Sequence, residues 1–186
     1  MFARSTLRTA SAAVFLALAG CSSPTSGSDA RSGTLSFDYA GVAAGHYSAS
    51  GALRVNEPSA LTYENVAGGG GGVSAAHPTS RTRSDAIALK FAMGTVTGTV
   101  AISETCNPNE AYCGRGEFDI AVPLDGQSAP DHKVFLFTAG SVTVTERSIS
   151  RVKGTFSGTA YLYPDRAQTI TVTNGRFDAP FPPASY

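Results

Sequence analysis

Val152–Tyr163 reads VKGTFSGTAYLY and Gln168–Phe177 reads QTITVTNGRF. In the second stretch Ile170 and Val172 alternate with Thr169, Thr171 and Thr173. In the first, Gly154, Phe156, Gly158, Ala160 and Leu162 alternate with Lys153, Thr155, Ser157, Thr159 and Tyr161. Period-two patterning in β-branched and aromatic residues is the signature of strands, because successive side chains of a strand point to opposite faces. Pro164 and Asp165 break the two runs apart, and Asn174-Gly175 is a bulge or turn signal inside the second.

The same period extends outward. Leu35, Phe37 and Tyr39 alternate with Ser36 and Asp38, and Gly41–Gly45 leads into Tyr47–Val55, a first hairpin. Ala86–Met93 is an apolar run, and Thr95–Ile102 alternates Thr with Val. Glu117–Leu124 puts Phe118, Ile120 and Val122 on one face. Val134–Thr138 and Ser141–Glu146 flank Ala139-Gly140, which reads as a tight turn. The result is eight or nine strands and little or no helix. Close spacing favours antiparallel neighbours, since parallel crossovers need a dozen or more residues. The fold class is mainly β, an antiparallel β-sandwich or an open barrel. Its core face is expected to hold Leu35, Phe37, Leu89, Phe91, Phe118, Ile120, Phe135, Phe137, Phe156, Ile170 and Val172.

Composition agrees. Charged residues are 15% of the 186, below the roughly 25% of an average soluble domain. With Gly at 20 and Pro at 10, a helical bundle, a coiled coil and a nucleotide-binding α/β enzyme are disfavoured. Basic and acidic residues balance at 14 each, so no global positive field attracts nucleic acid.

The first twenty residues have another character. Arg4 and Arg8 precede an apolar, small-residue run from Ala10 to Ala19, and the first acidic residue is Asp29. This is a secretory signal pattern, too short to span a bilayer. It ends in Leu18-Ala19-Gly20-Cys21, which resembles the lipobox of bacterial lipoproteins. The resemblance implies a diacylglyceryl group on the Cys21 thiol, cleavage before Cys21 and acylation of the new amine. It also implies export and a lipid anchor in the cell envelope, with Ser22 after the Cys favouring the outer membrane. The expected division is 1–20 signal peptide, 21–32 lipidated tether and 33–186 a single β domain. Losing Arg4 and Arg8 leaves twelve basic against 14 acidic side chains, a net −2. The tether segment Ser22–Ser32, SSPTSGSDARS, is polar and Ser-rich. At about 5–6 Å × √n its eleven residues reach roughly 17–20 Å root-mean-square.

Export makes Cys106 and Cys113 a natural disulfide pair, because Cys21 is committed to lipid. Their spacing does not match a redox CxxC motif, and no His lies nearby in sequence. Gly68–Gly72 lacks the Lys-Ser or Lys-Thr of a phosphate-binding loop, and so reads as a surface loop. His46, His77 and His132 fall at turns without partners at metal-ligand spacing. Glu117 and Asp119 share a face if their strand is regular, and Tyr161 and Tyr163 do likewise. No GxSxG or HExxH motif is present, and neither a cofactor nor a metal is implied.

The C-terminal pair of strands, with Phe156-Ser157-Gly158-Thr159 followed by Thr173-Asn174-Gly175-Arg176-Phe177, is similar to the closing hairpin of β-rich bacterial lipoproteins of no assigned activity. The functional expectation is a membrane-anchored, non-enzymatic binding or structural module. It would display loops 67–84, 104–116 and 125–133 to an envelope protein. The alternative is a carrier of a small apolar ligand in a barrel cavity lined by Phe and Tyr. A hydrolase stands third.

Overall fold

The computed structural model describes residues 32–52, 61–66, 70–92, 97–106, 113–125 and 127–181. Those residues form ten strands and no helix: β1 (Ser32–Gly41), β2 (Gly45–Ala52), β3 (Leu61–Val66), β4 (Gly70–Pro78), β5 (Arg83–Ala92), β6 (Gly98–Ser103), β7 (Cys113–Pro123), β8 (Lys133–Arg147), β9 (Arg151–Leu162) and β10 (Asp165–Pro180). They belong to one sheet ordered β2-β1-β10-β9-β8-β6-β7-β5-β4-β3. The end strand β3 lies beside β1, β2 and β10, so the sheet curls into a nearly closed barrel.

Three expectations are corrected. The strands number ten, not eight or nine, and the sheet is mixed, since β6 runs parallel to β7 through Ala101↔Cys113 and Ile102↔Gly114. The extra strands come from the glycine-rich region. Gly70–Pro78 is not a surface loop but β4, bonded along its length to β5 and on its other side to β3. The backbone of Gly72 packs so closely on β5 that a Cβ there would stand 2.7 Å from the Leu89 carbonyl oxygen. Of the candidate loop 67–84, residues 70–78 and 83–84 are strand, 79–82 form an exposed turn, and 67–69 lie outside the described residues.

Ala139-Gly140 is the third correction. It is no turn, for β8 runs through it without a break, and Gly140 pairs with Gly158 on β9. A Cβ on Gly140 would stand 2.3 Å from the Ser157 carbonyl oxygen. Two facing glycines let the backbones of β8 and β9 approach and bend, which barrel closure requires.

Bulges supply the remaining curvature. Asn174-Gly175 is a bulge opposite the single residue Phe37 on β1, while Thr173-Asn174 oppose the single residue Ser157 on β9, and Asn174 takes φ 55°. On β7, Ile120 and Ala121 oppose the single residue Asp85, and Ala121 takes φ 60°. Its N–H donates to the Asp85 carboxylate at 2.9 Å, which holds the strained conformation in place. This bulge breaks the predicted one-face alternation. Phe118 is buried, whereas Ile120 and Val122 are only partly so.

The other ten predicted core residues are buried. Phe37 is their hub. Its ring centroid lies 4.9 Å from Tyr47 and from Phe118, and 5.6 Å from Phe156. Rings also lie over cross-strand glycines: Phe177 over Gly154, Phe156 over Gly175, and Phe137 over Gly116 and Gly158. The Phe and Tyr rings expected to line an apolar cavity are thus packed on one another and on bare backbone.

Candidate functional site

The outward-facing residues of β5, β7, β8 and β9 align in a row through Ala88↔Glu117, Glu117↔Leu136 and Leu136↔Tyr161. Strand β8 pairs with β7 over Lys133–Leu136 and with β6 from Ala139 to Val144. The sheet therefore forks, and the end of β6 stands over the row. A cleft of about 360 Å³ lies at the fork, lined by Ala88, Lys90, Glu104, Arg115, Gly116, Glu117, Leu136 and Phe137. Apolar side chains form its floor, and two cations and two carboxylates stand around it. That volume is at the lower end of small-ligand sites.

Each charged group has a structural reason for its position. Arg115 donates through Nε to the carbonyl oxygen of Cys106, and Cys106 is bonded to Cys113 with their Cα atoms 5.4 Å apart. The predicted disulfide is therefore present, and it fixes the carbonyl that orients Arg115. Residues 107–112 of the enclosed loop lie outside the described residues. Glu104 accepts from Arg166 Nη2 at 2.6 Å and from the Tyr161 hydroxyl at 3.1 Å. The Arg166 guanidinium lies 4.5 Å above the Tyr161 ring. Arg166 first, and Tyr161 after it, hold the Glu104 carboxyl below the usual range. Burial, and then the bond to Glu104, push the Tyr161 phenol up. Tyr161 is buried beneath Arg166, whereas Tyr163, just past the end of β9, is 60% exposed.

Glu117 and Asp119 are neighbours on β7 as the alternation predicted. Loss of solvent, and then the adjacent Asp119, raise the Glu117 carboxyl. Asp119 also bonds to His132 Nε2 at 3.0 Å, which joins segment 125–133 to the edge of the cleft. Asp131 of the same segment pairs with Arg83. Lys90 stands beside Glu117 as the single charge in the Ala86–Ala92 part of β5.

The remaining sequence candidates are elsewhere. His46 bonds to Asp38 at 2.7 Å across the first hairpin, and Asn174 Nδ2 donates to the same carboxylate at 2.8 Å. These two bonds, Asn174 first, hold Asp38 below its usual range. His77 sits edge-on to Tyr47 at 6.3 Å. Cys21 and the tether through residue 31 lie outside the described residues. Among the described residues no three His, Cys, Asp or Glu side chains gather as a metal site.

Sequence reasoning singled out Glu117 and Asp119 but not Lys90, Arg115 or Arg166. A weak signal existed for two of them. Lys90 is the single charge in Ala86–Met93, and Arg115 stands between Gly114 and Gly116. A charge isolated in a strand with one apolar face belongs on the other face, but only the pairing of β5 with β7 sets Lys90 opposite Arg115.

No family model matches the chain, and neither a curated protein nor a solved structure matches it. The barrel-like β fold is compatible with a ligand-binding module.

Proposed function

We propose that this protein is a lipid-anchored envelope binding module, acylated at Cys21, that uses the cleft at the β6–β7–β8 fork to hold a polar partner. The observation that carries the reading is the cleft itself. Lys90 and Arg115 offer charge to an acidic group, and Glu117 offers an acceptor, beside an apolar floor of Leu136 and Ala88. Arg115 and Glu104 are held by bonds to fixed neighbours, so part of the ordering cost of binding is met before the partner arrives. The signal pattern and Leu18-Ala19-Gly20-Cys21 support export and anchoring, with the outer membrane as the destination. The packed aromatic interior favours this reading over an apolar-ligand carrier, because the space such a ligand would need is filled by Phe37, Phe118 and Phe135.

Two measurements test it. Intact mass of the membrane fraction should show acyl groups on the native protein and none on Cys21→Ser. A photoreactive residue placed at Leu136, on the cleft floor, should capture a partner in cells, and the same residue at exposed Thr171 should not. Capture at Leu136 should disappear with Lys90→Glu/Arg115→Glu. An unmodified native mass would sink the anchor, and equal capture at both positions would sink the cleft.

A further inference from the structure

Lys90 of β5 and Arg115 of β7 are direct partners in the antiparallel register, and both line the cleft. Like charges placed opposite one another across two strands repel. A carboxylate between them would relieve the pair, yet among the described residues neither cation lies within 4 Å of one. The nearby carboxylates are engaged elsewhere. Glu104 is bonded to Arg166 and Tyr161. Loss of solvent and the adjacent Asp119 push the Glu117 carboxyl up, which makes it a poor counter-charge. Arg115 donates only through Nε, to the Cys106 carbonyl, and its two Nη groups have no hydrogen-bond partner among the described residues. The guanidinium is thus fixed along one edge and open along the other.

The group this arrangement lacks is an oxyanion. A guanidinium edge can bind two oxygens of a carboxylate or phosphate, and an ammonium beside it adds a point charge. Next to the two cations, Ala88 and Leu136 give an apolar floor. Size and surroundings choose between a small molecule and a protein surface. The cleft's 360 Å³ suits a small ligand. A stable protein interface buries about 1,200 Å² or more around large apolar or aromatic anchors. Among the described residues the exposed large hydrophobics are Val42, Leu124, Ile149 and Tyr163; all lie in turns beyond strand ends, and none lines the cleft. We propose that Lys90 and Arg115 form an anion clamp for a small organic acid, whose carboxylate or phosphate the two cations share while its apolar part lies on Ala88 and Leu136. This rests on the reading of the cleft as a binding site and names its ligand class. The two opposed cations weaken the empty fold, and the ligand supplies the missing negative charge.

Saturation-transfer NMR on the full chain tests this with benzoate and phenyl phosphate as probes and benzamide as their uncharged counterpart. Both anions should bind and benzamide should not. Inorganic phosphate should bind more weakly than phenyl phosphate, because it leaves the apolar floor uncovered. Lys90→Gln and Arg115→Gln should each weaken phenyl phosphate about ten-fold, the loss of one charge-assisted contact. Without ligand, Lys90→Gln should melt no lower than the native chain, since it also removes the repulsion across the strands. A lower melting temperature would make Lys90 a structural residue and overturn its part in the clamp. Benzamide binding as tightly as benzoate, inorganic phosphate binding as tightly as phenyl phosphate, or both variants binding the anions as the native chain does would overturn the proposal. If no small anion binds while Leu136 still captures a protein through Lys90 and Arg115, the small-acid inference falls and the binding cleft stands. If Leu136 captures nothing either, both fall.

Discussion

Replacing Gly140 with Ala should destabilise the barrel far more than replacing Gly98 with Ala. The two glycines share a backbone conformation, at φ 155° and 158°, so the conformational cost of a side chain is common to both. Their surroundings differ. A Cβ at Gly98 would have nothing within 4 Å, whereas one at Gly140 would stand 2.3 Å from the Ser157 carbonyl oxygen and 2.8 Å from the Gly158 Cα. Both obstructing atoms are backbone atoms of a central strand, and no rotamer change moves them. Inserting a methyl into a filled site costs typically about 1–3 kcal/mol. Rigid obstruction puts Gly140→Ala at the upper end, about 3 kcal/mol beyond Gly98→Ala. For a domain of this size that is a further fall in Tm of roughly 6–12 °C. Urea unfolding of the two variants, followed by far-ultraviolet circular dichroism, measures the difference directly. Had Ala139-Gly140 been the tip of a turn, as its sequence suggests, the two substitutions would cost much the same. A difference within about 0.5 kcal/mol, the ordinary spread of surface substitutions, would refute the close pairing of β8 with β9.

Two further outcomes follow from the cleft. Cys106→Ser/Cys113→Ser opens a ring of separation 7, whose closure entropy is worth about 2.5 kcal/mol, so the urea midpoint should fall and Tm should drop by roughly 5–10 °C; an unchanged midpoint would leave the disulfide without a stabilising role. The folded state raises the Glu117 carboxyl above its ordinary 4.5 and so binds that proton more tightly than the unfolded chain does. The group's contribution to stability is therefore best below about pH 4.5 and is lost as pH rises through the raised value. Glu117→Gln should melt higher than the native protein at neutral pH, with the gap closing in acid, and calorimetry across that range showing a constant gap would contradict the desolvated position of Glu117.

Much of the barrel is legible in one dimension because its signals are local. The alternation of Ile170 and Val172 with threonines, or of Leu35 and Phe37 with Ser36, depends only on the geometry of a strand with one face in an apolar interior. Asn174-Gly175 announced a bulge for the same local reason, since both residues tolerate positive φ. Glycine elsewhere misled. Gly70–Gly72 and Gly140 look like breaks because glycine usually marks a turn, yet here it removes a Cβ from places where strands distant in sequence come within contact. The one-face reading of Phe118, Ile120 and Val122 failed because the bulge at Ala121 exists only opposite Asp85, on another strand.

The chemistry shows the same division. The pairing of Cys106 with Cys113 was legible because residue type and short spacing are written in the chain. Lys90 comes from β5, Arg115 and Glu117 from β7, and Glu104 from the turn after β6. Pairing of β5 with β7 sets Lys90 opposite Arg115, and Glu104 joins them because β8 leaves β7 to pair with β6; partners of that kind are chosen by the whole sheet. Residue order alone determined that this is a β domain with an apolar inner face. Tertiary structure decided which charges meet, because a strand's face is a property of its own period, whereas its neighbours are settled only when every edge in the sheet has found a partner.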